Sequence, residues 1–244
     1  MTRTLGYSTL ASDFDGTIAT EGCVSTSTVE ALTRLRAAGK RLIMVTGREV
    51  PSLLATFDRV DLFDVVVAEN GALLYWPALA RSDLLAPAVD PAFVAALHAR
   101  NVAPISVGEV IVATWHPHEL AVLQTIAELG LSLNVITNKG AVMVLPAGVD
   151  KQTGLHAALA ALGISQHELI GVGDAENDHA FLRHCGLAVA VGNALPSVRA
   201  EADLVTLGER GAGVEELIAA WLRGELQPGD QSLSRFTRIS AKPS

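Results

Sequence analysis

The chain has 244 residues, of which 50% are hydrophobic and 18% are charged, a composition typical of a globular protein with a sizeable core. Its formal net charge of −8 argues against nonspecific nucleic-acid binding, which requires an excess of lysine and arginine. The chain has two cysteines, no signal-peptide pattern and no apolar run of the roughly 20 residues that a membrane helix needs, so we predict a cytoplasmic protein without membrane contact.

The first part of the chain alternates between strand and helix patterns. An apolar run that ends at Asp13 predicts a strand, and STSTVEALTRLRAAGK predicts a helix with a Ser/Thr-rich start and a glycine stop. Leu42–Thr46 predict a second buried strand, a helix begins at Pro51, and DVVVAENG predicts a third strand that ends in an Asn-Gly turn. This β-α-β-α-β order is typical of a parallel sheet with helices on its faces.

The middle of the chain has a different character. DPAFVAALHARN and PHELAVLQTIAELG predict helices, GEVIVATWHP predicts a strand, and LNVITNKGAVMVLPAG predicts a hairpin that turns at Asn138, Lys139 and Gly140. Strands joined by a tight hairpin are antiparallel, so this segment is not expected to continue the parallel sheet. We therefore interpret residues 77–146 as an inserted α+β cap.

Helices and strands alternate again from residue 147 to residue 225, with strands predicted to end near Asp174 and Asn193. The fold class is thus α/β, with a doubly wound parallel, Rossmann-like core formed by residues 1–76 and 147–225. Residues 226–244 are polar and contain proline, glycine and serine, which predicts a disordered tail.

Polar residues follow four of the predicted strands, at the sheet edge where ligands bind in parallel α/β proteins. They are Asp13 and Asp15; Thr46, Gly47 and Arg48; Asp174, Asn177 and Asp178; and Asn193. Lys151 opens the helix that follows the insertion. A doubly wound sheet would bring most of these groups together, although they are far apart in sequence.

Asp13 and Asp15 lie two residues apart without a lysine or arginine close by in sequence, so their charges need another partner. Residues i and i+2 of an extended chain point the same way, so both carboxylates can face one site. With Asp174 they would offer Mg²⁺ the oxygen ligands that it prefers, and the cation would relieve their repulsion. Gly16 would let the backbone approach a bound anion, and Thr17 could donate to it or cap the following turn.

Such a set of residues suits phosphoryl transfer, which needs neutralised phosphoryl oxygens and in-line attack. One carboxylate can attack phosphorus and form an aspartyl-phosphate, and the other can protonate the leaving oxygen and then activate water. Thr46 and Lys151 can hold the phosphoryl oxygens through both steps.

Four motifs in this order resemble the haloacid dehalogenase-like (HAD) superfamily of phosphohydrolases. They are DFDGT at Asp13–Thr17, VTG at Val45–Gly47, Lys151, and GDAEND at Gly173–Asp178. An insertion between the second and third motifs, with a later GNA at Gly192–Ala194, is similar to the Cof-like, type-two-cap (IIB) branch. The cap is at the short end for that branch, and resembles the small caps of archaeal phosphoglycolate phosphatases and of sugar-phosphate phosphatases.

The resemblance implies roles for individual residues. Asp13 would be the nucleophile and Asp15 the general acid/base. Phosphate would be bound by Thr46, Gly47, Lys151 and Asn177. Mg²⁺ would be held by Asp13, Asp174 and the backbone carbonyl of Asp15. Asp178 and Arg48 would contact and orient these residues without binding the phosphate or the metal ion themselves.

Several residues have simpler explanations. Arg48 could form a salt bridge instead of touching substrate, and Asn177 and Asp178 could cap the next helix. The expected role of Asn193 is to shape a turn, with a contact to the site as the second possibility. Lys139 at the hairpin tip could reach an anionic substrate, but we favour a solvated turn, and we favour a strand end followed by a helix start over a metal site for TWHPHE. His156, His179 and His184 are expected to be packing or surface residues, and Cys185 a small buried hydrophobe.

We predict a Mg²⁺-dependent phosphatase that hydrolyses small phosphorylated metabolites, such as a sugar phosphate or a phosphoglycolate-like compound, through an aspartyl-phosphate. A phosphotransferase or phosphomutase could use the same intermediate, and a signalling receiver also combines an acidic Mg²⁺ site with a threonine and a lysine. A receiver would lack the second aspartate and the insertion. The chain could also be a domain of a larger protein whose cap binds a partner. No oligomeric state is predicted.

Overall fold

A computed structural model of the protein describes residues 6–227. The strands in this range are β1 (Thr9–Asp13), β2 (Ala19–Thr20), β3 (Cys23–Val24), β4 (Arg41–Val45), β5 (Val65–Ala68), β6 (Leu73–Trp76), β7 (Arg81–Leu84), β8 (Ser106–Val107), β9 (Val112–Trp115), β10 (Leu133–Asn138), β11 (Ala141–Pro146), β12 (Leu169–Gly173), β13 (Leu187–Ala190) and β14 (Leu204–Val205). The α-helices are α1 (Thr26–Ala37), α2 (Val50–Thr56), α3 (Pro91–Ala99), α4 (Glu119–Leu129), α5 (Lys151–Leu162), α6 (His179–Leu182), α7 (Pro196–Glu201) and α8 (Arg210–Leu222). No helix within residues 6–227 is both long and apolar enough to span a membrane.

An eight-stranded sheet forms the centre of the molecule, in the order β14-β13-β12-β1-β4-β5-β6-β7. The strands from β14 to β5 are parallel, whereas β6 and β7 run antiparallel to their neighbours. Every residue of β1, β5, β12 and β13 is buried, as expected for strands that helices cover on both faces. The predicted α/β class with a parallel core sheet is confirmed.

A second sheet, β10-β11-β9-β8, is antiparallel and is called the cap sheet below. It has its own apolar cluster with α3 and α4, which includes Phe93, Leu97 and Val122. Strands β10 and β11 form the cap hairpin, joined by Lys139 and Gly140 at φ values of 48° and 86°. Positive φ at both central residues is typical of a two-residue hairpin turn, so the hairpin predicted here is confirmed.

Strand β7 lies inside the range 77–146 that the sequence assigned to the cap, yet it pairs with β6 in the eight-stranded sheet. Pairing with β6 gives the backbone groups of β7 hydrogen-bond partners that an isolated segment would lack. We propose that the inserted subdomain begins after Leu84 rather than at residue 77. The predicted disordered tail lies outside the described residues except for Leu226 and Gln227, and Leu226 is buried in the core.

Helix α5 places Lys151 at the site because its start is tightly defined. The Asp150 side chain accepts a hydrogen bond from the Thr153 backbone, and the Thr153 hydroxyl receives one from the Asp150 backbone, which together form a capping box. The start of the helix lies against Gly71, where a Cβ atom would come within 1.8 Å of the Asp150 carbonyl oxygen. Gly71 also has a φ of +106°, so both the backbone and the close contact require glycine here.

Glu69, which follows β5, connects the eight-stranded sheet to the cap sheet. Its buried carboxylate accepts hydrogen bonds from the backbone N–H groups of Glu109, Val110 and Ile111, at 2.8, 2.8 and 2.9 Å. These donors belong to the turn that joins β8 to β9. One core side chain therefore fixes the position of the cap sheet at this point.

Glu69→Ala is expected to lower the free energy of unfolding by about 2–3 kcal/mol, because three backbone donors lose a charged acceptor. Urea denaturation measures the change, and limited proteolysis is expected to cut near residues 108–111 more rapidly. Glu109→Ala is the matched control, since this exposed side chain is removed while its backbone donor remains. Equal stability of the two variants would show that the Glu69 contacts do not hold the cap sheet.

Candidate active site

The polar residues that follow β1, β4, β5 and β12 meet at one edge of the large sheet, under the cap hairpin. A cavity of about 390 Å³ lies between this edge and the cap sheet. Its core side is lined by Asp13, Asp15, Gly47, Arg48, Lys151 and Asn177. Its cap side is lined by Ala113, Trp115, Asn138, Lys139, Ala141 and Met143. The order of strands in the sheet therefore brings together residues that are far apart in the chain.

Lys151 is the centre of a buried charge cluster. Its Nζ donates to Oδ1 of Asp13 at 2.5 Å and to Oδ1 of Asp178 at 2.7 Å, and the lysine side chain is 1% exposed. Oδ2 of Asp178 accepts from the backbone N–H groups of Asp174 and Ala175 at 2.8 and 2.9 Å. Asp178 thus fixes both Lys151 and the loop after β12, which is why its carboxylate lies behind the cavity rather than in it.

The buried cluster shifts the pKa values of its members. Burial, and next the negative charge of Asp178, raise the pKa of Asp13 to about 7, although Lys151 opposes the shift. Burial acts to lower the pKa of Lys151, but the charges of Asp13 and Asp178 and the hydrogen bonds to them raise it above its ordinary value. Lys151 therefore stays protonated, whereas Asp13 is only partly ionised near neutral pH, and a further cation would favour its carboxylate form.

In the presence of a chelator, Asp13→Asn is expected to become more stable relative to the wild type as the pH rises. The pKa of Asp13 is about 7 in the folded protein and about 3.9 in an unfolded chain, so the folded wild type binds more protons between these values and loses stability as pH increases through them. Asparagine does not titrate. Urea denaturation at pH 5 and pH 8 should show a change in the stability difference on the order of 2 kcal/mol. A difference that does not change with pH would contradict this prediction.

Asp15 and Arg48 form a bidentate ion pair. Nε of Arg48 donates to Oδ2 of Asp15 at 2.6 Å, and Nη2 donates to Oδ1 at 2.8 Å. The Thr46 hydroxyl accepts from the backbone N–H of Arg48 at 3.1 Å, so the turn after β4 sets the position of the guanidinium group. The sequence left Arg48 open between a salt bridge and a substrate contact. In the structure the salt bridge is present, and it fixes the orientation of the Asp15 carboxylate.

Asp174 is buried at the end of β12, and burial raises the pKa of its carboxyl group. The Thr17 hydroxyl donates to Oδ1 of Asp174 at 3.2 Å. Lys139 donates to Oδ2 at 2.7 Å and to the backbone carbonyl of Asp15 at 3.1 Å. The tip of the cap hairpin therefore reaches the acidic edge of the large sheet.

The residues present fit a divalent cation. Carboxylate oxygens of Asp13, Asp174 and Asp178 lie within 4.8 Å of one another. Both oxygens of Asp178 are taken by Lys151 and two backbone donors, so the donors left for a cation are Oδ2 of Asp13, the Asp174 carboxylate and the Asp15 carbonyl. The last two hold the half-exposed ammonium group of Lys139. Hard oxygen donors of this kind suit Mg²⁺, and burial of the two carboxylates leaves negative charge for it to neutralise.

Two asparagines meet between β5 and β12. Nδ2 of Asn177 donates to Oδ1 of Asn70 at 3.0 Å, and Asn70 is fully buried with a φ of 56°. Within residues 6–227, three buried side-chain atoms have no hydrogen-bond partner, namely Asn70 Nδ2, Asn138 Oδ1 and Asn177 Oδ1. The last two belong to residues that line the cavity, which leaves polar atoms available to a ligand.

Some functional candidates were not found from the sequence. For Lys139 the sequence favoured a solvated turn over contact with an anionic substrate and gave no sign of its aspartate partners, but in the structure it contacts Asp174 and Asp15 across the cavity. Its place at the tip of a hairpin in an insertion that covers the sheet edge was the available signal. Asn70 was treated only as part of a turn, whereas its position directly after β5 puts it beside Asn177.

Other predicted residues lie outside the centre of the cluster. Asn193 donates to the Gly16 carbonyl and accepts from the backbone of Arg210, so it fixes two loops. Of the segment TWHPHE, Trp115 lines the cavity and His116 pairs with Glu119 on α4. Gly47 lies directly below the cap hairpin, where a Cβ atom would be 3.4 Å from the sulfur of Met143.

Known proteins share this arrangement of sequence and fold. The sequence pattern of the family described as haloacid dehalogenase-like hydrolase matches residues 10–99 and 110–218 of the chain. The chain is 29% identical over 221 residues to the phosphoglycolate phosphatase of Methanothermobacter thermautotrophicus, which covers 87% of this chain and 98% of that protein. It is 31% identical over 222 residues to the phosphoglycolate phosphatase of Haloarcula marismortui, which covers 86% and 95%.

The fold is also similar to that of a solved HAD subclass IIB sugar phosphatase, with a TM-score of 0.70 and 23% identity over 89% of this chain and 99% of that one. The family match spans most of the chain, from residue 10 to residue 218 with a gap at residues 100–109. The chain therefore belongs to the haloacid dehalogenase-like hydrolase family.

Proposed function

We propose that this protein, a HAD-type phosphoric monoester hydrolase, releases phosphate from small phosphorylated carboxylic acids of the phosphoglycolate kind, with Mg²⁺ as its cofactor and through an aspartyl-phosphate. The observation that carries the proposal is the buried Asp13–Lys151 pair, supported from behind the cavity by Asp178, beside the Asp15–Arg48 pair on the core side of the cavity. A cytoplasmic location stays a prediction.

Asp13 is suited to be the nucleophile. Lys151 binds Oδ1 of Asp13 at 2.5 Å and restricts the carboxylate to one orientation, which leaves Oδ2 to attack phosphorus. The phosphorus–oxygen ester bond then breaks, and the phosphoryl group is held on Asp13. Lys151 and the Thr46–Gly47 turn would bind the phosphoryl oxygens, and Asn177 would add a further contact at the cavity wall.

Asp15 is suited to move protons in both steps. Asp15 would enter the first step protonated and give that proton to the departing alcohol oxygen. The resulting carboxylate would take a proton from the water that attacks the aspartyl-phosphate, which releases inorganic phosphate and restores both Asp13 and protonated Asp15. Arg48 holds the Asp15 carboxylate on the core side of the cavity, opposite the cap sheet. A bound Mg²⁺ would neutralise the phosphoryl charge and keep Asp13 ionised.

The cavity favours a small anionic leaving group. Its volume of about 390 Å³ must hold both the leaving group and the phosphoryl group, and residues of the cap sheet line its outer side. Besides Lys151, which would hold the phosphoryl group, two cationic side chains line the cavity, Arg48 and Lys139, beside the small or flexible side chains of Ala113, Ala141 and Met143. A short carboxylic acid would find opposite charge there, and the two relatives above are named phosphoglycolate phosphatases.

The test is phosphate release by the purified protein from a panel of phosphoglycolate, hexose phosphates, disaccharide phosphates, nucleotides and pyridoxal phosphate, with Mg²⁺ and with chelator. We expect Mg²⁺-dependent release, with the highest kcat/KM for phosphoglycolate. A preference for hexose phosphates would replace the proposed substrate class and keep the reaction. Transfer of phosphate to a sugar acceptor without release to water would overturn hydrolysis in favour of a phosphotransferase.

A further inference from the structure

The hairpin tip of the cap sheet puts a positive charge on the oxygens that suit a metal ion. Nζ of Lys139 lies 2.7 Å from Oδ2 of Asp174 and 3.1 Å from the Asp15 carbonyl oxygen. These two oxygens, together with the Asp13 carboxylate, are the available donors of the divalent-cation site described above. The ammonium group and the cation therefore have the same ligands.

The Lys139 ammonium group and the Asp174 carboxylate both pack closely against the backbone at Gly16. A Cβ atom at Gly16 would lie 2.5 Å from Oδ2 of Asp174 and 2.6 Å from Nζ of Lys139, so only glycine leaves room for the ammonium group to reach this position. The Lys139 side chain is nevertheless 45% exposed, whereas Asp174 is 4% exposed. The lysine can leave into solvent, and the aspartate cannot.

Mg²⁺ binds such oxygens at about 2.0–2.1 Å, so it would be within a few ångström of Nζ if both were bound together. Repulsion between like charges at that separation is strong in a partly buried site. We propose that the Lys139 ammonium group and a divalent cation bind the same oxygens in turn, so that the cap hairpin is held on the large sheet until the cation displaces it. The proposal rests on the divalent-cation site of the proposed function.

The charges of the site agree with such an exchange. Four carboxylates, those of Asp13, Asp15, Asp174 and Asp178, are paired with three cationic side chains, those of Arg48, Lys139 and Lys151. Arg48 has both Asp15 oxygens as partners, and Lys151 is buried between two aspartates. Lys139 is the member of this set that comes from the cap hairpin, so its displacement frees the hairpin and leaves the other pairs intact.

The exchange is tested by calorimetric titration of Mg²⁺ into the substrate-free protein. Lys139→Met is expected to lower the Kd for Mg²⁺ by about 3- to 10-fold, because the cation no longer competes with an ammonium group. Lys139→Arg keeps the charge and is expected to bind Mg²⁺ within about twofold of the wild type. Arg100→Met, which removes one positive charge from the cap surface where Arg100 pairs with Glu128, should also stay within about twofold.

Hydrogen exchange supplies a second measurement that does not depend on turnover. In the wild type, Mg²⁺ should increase amide exchange in Leu133–Pro146, while in Lys139→Met exchange should be high without Mg²⁺ and unchanged by it. Equal or weaker Mg²⁺ binding by Lys139→Met, or no effect of Mg²⁺ on the wild-type hairpin, would overturn the proposal. Tighter binding by Lys139→Met in a protein that releases no phosphate from the panel would support the exchange and refute the proposed function.

Discussion

Asp13→Asn is expected to reduce kcat/KM for phosphate release by about four orders of magnitude or more, because an amide cannot form the aspartyl-phosphate. Lys151 lies 2.5 Å from Oδ1 of Asp13, so the substitution also replaces the charged acceptor of this hydrogen bond by a neutral amide oxygen at the centre of the site. The measurement is steady-state phosphate release with Mg²⁺ from the best substrate of the panel. Binding of that substrate is expected to persist, because the phosphate-binding groups remain.

The control for this variant is Asp58→Asn, which makes the same chemical change at an exposed position outside the cavity and should retain wild-type kinetics. The stability measurements at pH 5 and pH 8 described above show whether Asp13→Asn is folded. A residual rate above about 1% of wild type would mean that another group attacks phosphorus. A covalent phosphoryl group found by mass spectrometry on the wild type, and absent from Asp13→Asn, would identify the nucleophile directly.

Lys151→Met is expected to lower the free energy of unfolding by about 3–5 kcal/mol near pH 7.5 and to abolish measurable turnover. The substitution leaves the buried carboxylates of Asp13 and Asp178 without the cation that lies 2.5 and 2.7 Å from them, and removing one partner of a buried ion pair has this cost. The phosphoryl oxygens also lose a positive charge. Urea denaturation with chelator measures the stability, and phosphate release measures the activity.

Lys40→Met is the matched control for stability. Lys40 donates one hydrogen bond to the Tyr7 carbonyl and lies 5.0 Å from the centre of the Trp221 ring, so its loss should cost only about 1 kcal/mol. A second variant separates charge from packing: Asp178→Asn added to Lys151→Met is expected to restore part of the stability, since it removes one of the two unpaired charges. If the double variant is no more stable than Lys151→Met, the loss comes from packing.

Three of the four motifs were recognisable because each is short and follows a strand that the sequence marks clearly, and the fourth, Lys151, opens a helix just after the insertion. An apolar run ends at Asp13, another ends before Thr46, and a third ends at Gly173, just before Asp174. In parallel sheets the carboxyl ends of neighbouring strands share one edge, so local patterns were enough to predict that these residues meet. The sequence order also indicated an insertion, since a hairpin at Lys139 and Gly140 requires antiparallel strands.

The contacts that control the site were decided by the tertiary structure. Arg48 pairs with Asp15 across 33 positions of the chain, Lys139 with Asp174 across 35, and Asn177 with Asn70 across 107. The side chain of Glu69 binds the backbone of Glu109 across 40 positions, and β7 joins the large sheet although it lies in the range predicted to be the cap. No local pattern encodes such pairs.

The sequence by itself therefore determined the family and the type of sheet, and it indicated which polar groups meet at the sheet edge, because these depend on short runs of residues and on the direction of each strand. The tertiary structure decided which charges face each other and how far the hairpin tip of the cap sheet reaches into the site. These depend on the twist of the sheet and on how two separately packed apolar cores fit together. The distance from Lys139 to Asp174 follows from that fit.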